Sequence, residues 1–119
     1  MNKKIMTSIK LQKKLHHTML QRIISDGYGM RGKSRWIIEA VDTFLSLPDY
    51  PELVDIANDM DQLTEVVSIR VPEQTVIQIE QAIIQVRKFY PAMEGVKSSL
   101  IRASIIQRLI REVASVAEV

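Results

Sequence analysis

A chain of 119 residues with 46% hydrophobic residues is long enough for one small globular domain. The absence of cysteine excludes disulfide bonds and thiolate metal sites, and no apolar run approaches the ~20 residues of a membrane-spanning helix. The net charge of +2 conceals a segregation, because residues 1–36 carry +8, residues 37–66 carry −8 and residues 67–119 carry +2. We therefore expect a cytoplasmic protein that does not bind membranes. Its basic side should meet a polyanion, and its acidic middle should face away from that partner.

The first predicted elements are a strand and a helix. Residues 5–11 alternate between two kinds of side chain, which predicts a strand with Ile5, Thr7, Ile9 and Leu11 on one face and Met6, Ser8 and Lys10 on the other. Residues 13–26 change to a helical period, and Gly27 is typical of a helix end. The apolar stripe of this helix would consist of Leu15, Met19, Leu20, Ile23 and Ile24.

A glycine-rich turn over residues 28–32 leads to a second predicted helix. Ser34 is the expected N-terminal cap of this helix, and Pro48 and Pro51 end it. Its apolar face would be formed by Trp36, Ile37, Val41, Phe44 and Leu45.

An acidic linker over residues 48–65 follows. Residues 51–60 within it predict a short helix. The side of this helix facing the body of the protein would carry Leu53, Ile56, Ala57 and Met60, and the opposite side would carry Glu52, Asp55 and Asp59.

The same plan then returns, because Thr7-Ser8-Ile9-Lys10-Leu11 is repeated as Val67-Ser68-Ile69-Arg70-Val71. A helix should begin at Pro72 and end at Tyr90-Pro91, and Ser98 should cap a last helix. The inward residues of these two helices would be Val76, Ile79, Ile83 and Val86, then Leu100, Ile101, Ile105 and Leu109. The strands match at an offset of 60 and the final helices at 64, which predicts four extra residues between positions 89 and 96.

Two sequence motifs, one typical of nucleotide binding and one of metal binding, are weak evidence for those functions in this chain. The string from Gly27 to Ser34 matches the P-loop pattern G-x-x-x-x-G-K-S, but that pattern needs a preceding buried strand, and the preceding residues have a helical period. His16 and His17 are adjacent, so on a helix they point about 100° apart and cannot bind one metal ion together. We therefore expect no enzyme activity, no catalytic residues, no cofactor and no metal.

Strand, helix and helix within ~45 residues resembles the ribbon-helix-helix (MetJ/Arc) superfamily of DNA-binding proteins. The segment from Gly32 to Ala40 is similar to the family pattern Gly-x-Ser-x-x-Ile-x-Glu-Ala, although Val96 and Ser104 depart from it in the second copy. The other matching residues are Ser8 and Lys10, Ser68 and Arg70, and the pair Val71-Pro72. A tandem copy in one chain is similar to TraY-type proteins of conjugative plasmids.

The resemblance implies a mostly α fold with a two-stranded antiparallel β-ribbon, arranged as a tandem pseudo-dimer. One compact unit would contain a first copy (residues 1–47), the linker (residues 48–65) and a second copy (residues 66–119). The ribbon would enter the major groove of double-stranded DNA, where alternate side chains face base edges. The expected base contacts are Met6, Ser8, Lys10, Val66, Ser68 and Arg70, and the expected phosphate contacts are Lys13, Lys33, Ser34, Lys97 and Ser98.

The function implied is that of a transcriptional regulator such as a repressor, or of a relaxosome accessory protein. Because one ribbon spans few base pairs, self-association on adjacent DNA sites is a further expectation. The alternative is an antitoxin-like or other protein-interaction module, which would use the acidic segment from Asp49 to Asp61 to bind a protein partner.

Overall fold

The computed structural model describes residues 3–29 and 31–117, with side chains described as far as Arg111. It is mostly helical with one two-stranded antiparallel sheet, as predicted. Within the described part of the chain, no helix is long and apolar enough to cross a membrane. The elements in chain order are β1 (Lys4–Leu11), α1 (Lys13–Ser25), α2 (Lys33–Phe44), α3 (Tyr50–Asn58), β2 (Glu65–Pro72), α4 (Glu73–Phe89) and α5 (Val96–Ala117).

Strands β1 and β2 pair antiparallel to form a ribbon whose register is symmetric about its centre. Ser8 lies opposite Ser68, and these two residues are also equivalent in the sequence repeat. On either side of this pair the partners are Met6 with Arg70 and Lys10 with Val66. A two-fold rotation that exchanges the strands therefore superimposes the backbone of the ribbon on itself. It places Met6 on Val66 and Lys10 on Arg70, so the side chains differ at these positions.

The inner face of the ribbon covers the hydrophobic core. Ile9, Leu11 and the inward residues of β2 are no more than 2% exposed. The largest helical side chains packed beneath them come mainly from α1, α2 and α5. They are Met19, Trp36, Ile37, Val41, Phe44, Leu100, Ile101 and Ile105, and they include three pairs that match in the two copies, at positions 36 and 100, 37 and 101, and 41 and 105.

Four apolar residues that the sequence assigned to inner faces are exposed. Leu20 and Ile24 on α1 are 37% and 65% exposed, because only the stripe through Met19 and Ile23 contacts the core. On α3, Ile56 is 67% exposed, since the helix is rotated so that Val54 and Ala57 face inward. At the start of the ribbon, Ile5 is 41% exposed.

The prediction that Ser34 and Ser98 cap helices was wrong. Helix α2 already begins at Lys33, with Gly32 at the capping position, and α5 begins at Val96. Both serines therefore lie inside the first helical turn. Their hydroxyls instead accept hydrogen bonds from the ribbon, a long-range contact that a local capping pattern does not include.

The four extra residues of the second copy form an additional turn of helix. Helix α4 has 17 residues and its counterpart α1 has 13, although both begin at equivalent positions. The prediction that these residues lie between positions 89 and 96 was therefore wrong, because the insertion lengthens α4 up to Phe89 and does not enlarge the turn that follows. The predicted helix end at Tyr90 is confirmed, since Tyr90 is the C-terminal capping residue of α4.

Candidate nucleic-acid interface

The outer face of the ribbon presents all six of the predicted base-contacting residues to solvent. The two apolar members are conspicuous, because Met6 is 59% exposed and Val66 is 63% exposed. Lys10 and Arg70 supply two cations, Lys4 lies on the same face at the start of β1, and the face contains no acidic residue. The six predicted residues are Met6, Ser8, Lys10, Val66, Ser68 and Arg70.

Two hydroxyl groups mark the centre of this face. The Oγ atoms of Ser8 and Ser68 lie 3.4 Å apart, so that either can donate to the other. A hydroxyl can both donate and accept. The centre of the ribbon can therefore meet either a donor or an acceptor on a ligand.

Each long edge of the ribbon is bordered by the first turn of a helix. The backbone N–H of Arg70 donates to Oγ of Ser34 at 3.0 Å, and the backbone N–H of Lys10 donates to Oγ of Ser98 at 3.2 Å. These two bonds are equivalent in the repeat, and each joins a helix of one copy to the strand of the other. They hold the helix N-termini of α2 and α5 beside opposite ends of the outer face.

The remaining predicted phosphate contacts lie around these helix ends. Lys33 is half-buried as the first residue of α2, whereas Lys97 is exposed near the start of α5. Lys13, also exposed, is the first residue of α1 and follows the Lys10 end of β1 by three positions. The structure thus places cations near both ends of the ribbon.

One end of the outer face forms a concave surface. A hollow of about 470 Å³ is lined by Met6, Ser68 and Arg70 from the ribbon. Arg31 from the α1–α2 connection and Ser34 from α2 complete its lining. Arg31 was not among the predicted contacts, because the motifs around it concern Gly32, Lys33 and Ser34. The corresponding position in the second copy is Gly95, so the opposite end has no equivalent cation.

A polar cluster around Tyr28 holds the connection that carries Arg31. The guanidinium group of Arg35 lies 4.5 Å from the centre of the Tyr28 ring, and that of Arg108 lies 5.4 Å from it. The Tyr28 hydroxyl donates to the Glu39 carboxylate and accepts a hydrogen bond from Arg108 at 3.0 Å. Stacking and hydrogen bonding together fix the path of the chain into α2.

The P-loop pattern lacks its structural context here. The residues before Gly27 belong to helix α1, as the sequence predicted, and not to a buried strand. Among the described residues, no group of three or more His, Cys, Asp or Glu could hold a metal ion. His16 instead lies 3.5 Å from the carboxylate of Glu65.

The candidate site therefore consists of the outer face of the ribbon, the two flanking helix N-termini and the surrounding cations. No family model, curated protein or solved structure matches the chain.

Proposed function

We propose that the chain is a tandem ribbon-helix-helix protein that binds double-stranded DNA by placing the β1–β2 ribbon in the major groove. The observation that carries the proposal is the outer face, which is exposed, free of acidic residues and flanked at both edges by a helix N-terminus. A two-stranded ribbon has the width that the major groove admits. The exposed apolar side chains on the same face would otherwise be unfavourably placed in water.

The side chains on this face suit direct recognition of bases. Lys10 and Arg70 can donate to O6 and N7 of guanine, and a good bidentate contact is worth ~1–3 kcal/mol of discrimination. The Ser8 and Ser68 hydroxyls can pair with either donors or acceptors at the centre of the site. Met6 and Val66 can pack against the methyl groups of thymine.

The helix starts would fix the ribbon in the groove. Free backbone N–H groups at a helix N-terminus, together with the helix dipole, favour a phosphate group. Lys33 and Lys97 add charge at these two positions, and Lys13 and Arg31 add charge nearby. Such contacts supply affinity and orientation, whereas the ribbon supplies sequence preference.

The two copies would form a pseudo-dimer within one chain. The hydrogen bonds of Ser34 and Ser98 support this arrangement, since each joins one copy to the other in an equivalent way. Because Lys10 and Arg70 differ, and because Arg31 is matched by Gly95, the two halves of the DNA site should also differ. Occupancy of such a site would regulate a promoter or mark DNA for a larger complex such as a relaxosome.

The experiment that tests this proposal combines a salt series with a ribbon variant. We expect DNA binding, measured by fluorescence anisotropy, to weaken steeply and linearly in log–log form as salt rises. The Lys10→Ala/Arg70→Ala double variant should lose about tenfold or more in preference for its site over random DNA, with unchanged helical circular dichroism.

The matched control is Arg87→Ala/Lys88→Ala, which removes the same charge from the exposed C-terminal end of α4. Because α4 begins where β2 ends and is about 25 Å long, these two residues lie at the helix end that is not joined to the ribbon, and the variant should weaken binding only slightly and keep its sequence preference. Normal sequence preference in the Lys10→Ala/Arg70→Ala variant would overturn the proposal.

A second candidate function is protein binding through the linker helix. Ile56 is 67% exposed on α3, beside the exposed carboxylates of Glu52 and Asp59. An apolar residue among acidic ones suits a basic partner protein. An Ile56→Glu substitution should then abolish partner binding while leaving the DNA affinity of the chain unchanged.

A further inference from the structure

The most deeply buried cation of the described side chains is Arg102 on α5, which is only 2% exposed. Its guanidinium group donates to Ala57 O through Nε at 3.2 Å and through Nη2 at 2.9 Å. Nη1 donates to Lys10 O at 3.1 Å, and Nη2 also donates to Oγ of Ser99 at 3.2 Å. These acceptors are neutral, so the side chain joins α5 to both α3 and β1 without a salt bridge.

Burial of such a cation needs compensation, because removing it from water is unfavourable. Desolvation lowers the pKa of the Arg102 guanidinium. The acceptor Ala57 lies in the last turn of α3, where the helix dipole provides negative partial charge. The C-terminus of α3 therefore supplies the compensation that a carboxylate would supply elsewhere.

The contact with Lys10 places Arg102 at the outer edge of the ribbon. Both the N–H and the C=O of Lys10 point away from β2 and towards α5. The N–H donates to Ser98 Oγ, and the C=O accepts from Arg102 Nη1. Helix α5 therefore binds both backbone polar groups of the residue whose side chain is proposed to contact bases.

Among the described residues, the other end of the ribbon has no equivalent of this second contact. The backbone N–H of Arg70 is held by Ser34, as the repeat requires. However, the residue that corresponds to Arg102 in α2 is Ile38, whose side chain cannot donate a hydrogen bond. The two proposed base-contacting cations are thus attached to the helices in different ways.

We propose that Arg102 is a positioning residue that fixes the backbone of Lys10 for base recognition at that end of the ribbon. The inference rests on the proposed DNA-binding function. It assigns Arg102 no contact with DNA. Its effect should be confined to the half-site nearest Lys10, while the half-site nearest Arg70 keeps its preference.

The test uses a DNA site selected by the wild-type protein and substituted one base pair at a time. The full-length variant Arg102→Met removes the donors, and Arg102→Lys keeps the cation with fewer donors. The matched control is Asn58→Ala, because Asn58 joins α3 to the α4–α5 connection through Glu94 O at 2.8 Å and to α5 through Ser99 Oγ at 2.7 Å but makes no hydrogen bond to the ribbon. Hydrogen exchange of residues 4–11 and 65–72 in free protein is a second measurement.

In Arg102→Met, discrimination between bases should fall about fivefold or more at the Lys10 half-site and less than about twofold at the Arg70 half-site. Exchange should accelerate at the end of the ribbon where Lys10 pairs with Val66 but not at the end where Met6 pairs with Arg70. Arg102→Lys should be intermediate, and Asn58→Ala should retain wild-type discrimination. A purely structural role would weaken both half-sites equally and would overturn the inference, as would unchanged discrimination in both Arg102 variants. If the wild-type protein shows no base preference, the proposed DNA-binding function itself is overturned.

Discussion

Gly32 is the residue on which the geometry of the α1–α2 connection depends most. A Cβ atom at this position would lie 2.4 Å from the carbonyl oxygen of Tyr28 and 2.5 Å from its Cβ. Tyr28 cannot easily move away, because its ring is held by Arg35 and Arg108. The glycine of the family-like pattern therefore has a steric role in this chain.

We expect Gly32→Ala to lower the free energy of unfolding by ~2–3 kcal/mol, since it forces a backbone contact apart. Gly29→Ala is the control, because Gly29 has a positive φ of 73° but open space where an alanine methyl group would lie, and strain alone costs ~1 kcal/mol. Urea unfolding of both variants measures the difference. Equal losses in the two variants would contradict the steric role of Gly32.

Candidate functional residues were predictable from the sequence where they lie in a periodic element, and they were not predictable where they depend on tertiary packing. Alternation in the strands placed Lys10 and Arg70 on one face of the ribbon, and both are exposed there. Arg102 follows the core pattern of its helix in position, but its hydrogen bonds reach residues 45 and 92 positions away. No local pattern specifies such contacts.

At the level of elements, the two serines of the helix starts are equivalent in position and in bonding. Their hydroxyls accept the edge N–H groups of Arg70 and Lys10, which otherwise have no partner within the ribbon. The sequence suggested helix caps because serine is common there. Strand pairing instead offered each serine a donor from the other copy.

Replacing Ser34 or Ser98 by alanine should therefore lower the free energy of unfolding by a similar amount, ~0.5–1.5 kcal/mol in each case. Ser46→Ala is the control, because Ser46 bonds only to Thr43 O within its own turn at an exposed position, and its loss should stay below ~0.5 kcal/mol. Thermal or urea unfolding gives the values. A silent substitution at one of the two paired serines would show that the helices do not hold the two strands equivalently.

The helices themselves were largely predictable, whereas their rotation was not. Periodicity gave α1 and α3 within one or two residues at most ends. Periodicity also predicted that Ile24 and Ile56 face inward, but both are exposed. In each helix, only part of the apolar stripe contacts the core. Which part of a wide apolar stripe is buried depends on the neighbouring elements and not on the period.

At the scale of the whole molecule, a repeated sequence gives a ribbon with a symmetric register and unequal ends. The ribbon is centred on the equivalent pair Ser8 and Ser68, which supports a two-fold arrangement of the copies. The Arg70 end is accompanied by Arg31, and the Lys10 end by the buried Arg102, which also bonds to Ala57 O on α3. We expect a DNA site with two related but distinct halves.

The central claim, that the outer face of the ribbon recognises DNA, is tested most directly by selecting bound sequences from random duplex DNA. Wild-type protein and the Lys10→Ala/Arg70→Ala variant should be carried through the same selection at the same salt concentration. We predict that the wild type enriches one short asymmetric sequence and that the variant does not. No enrichment by the wild type, or enrichment of the same sequence by the variant, would contradict it.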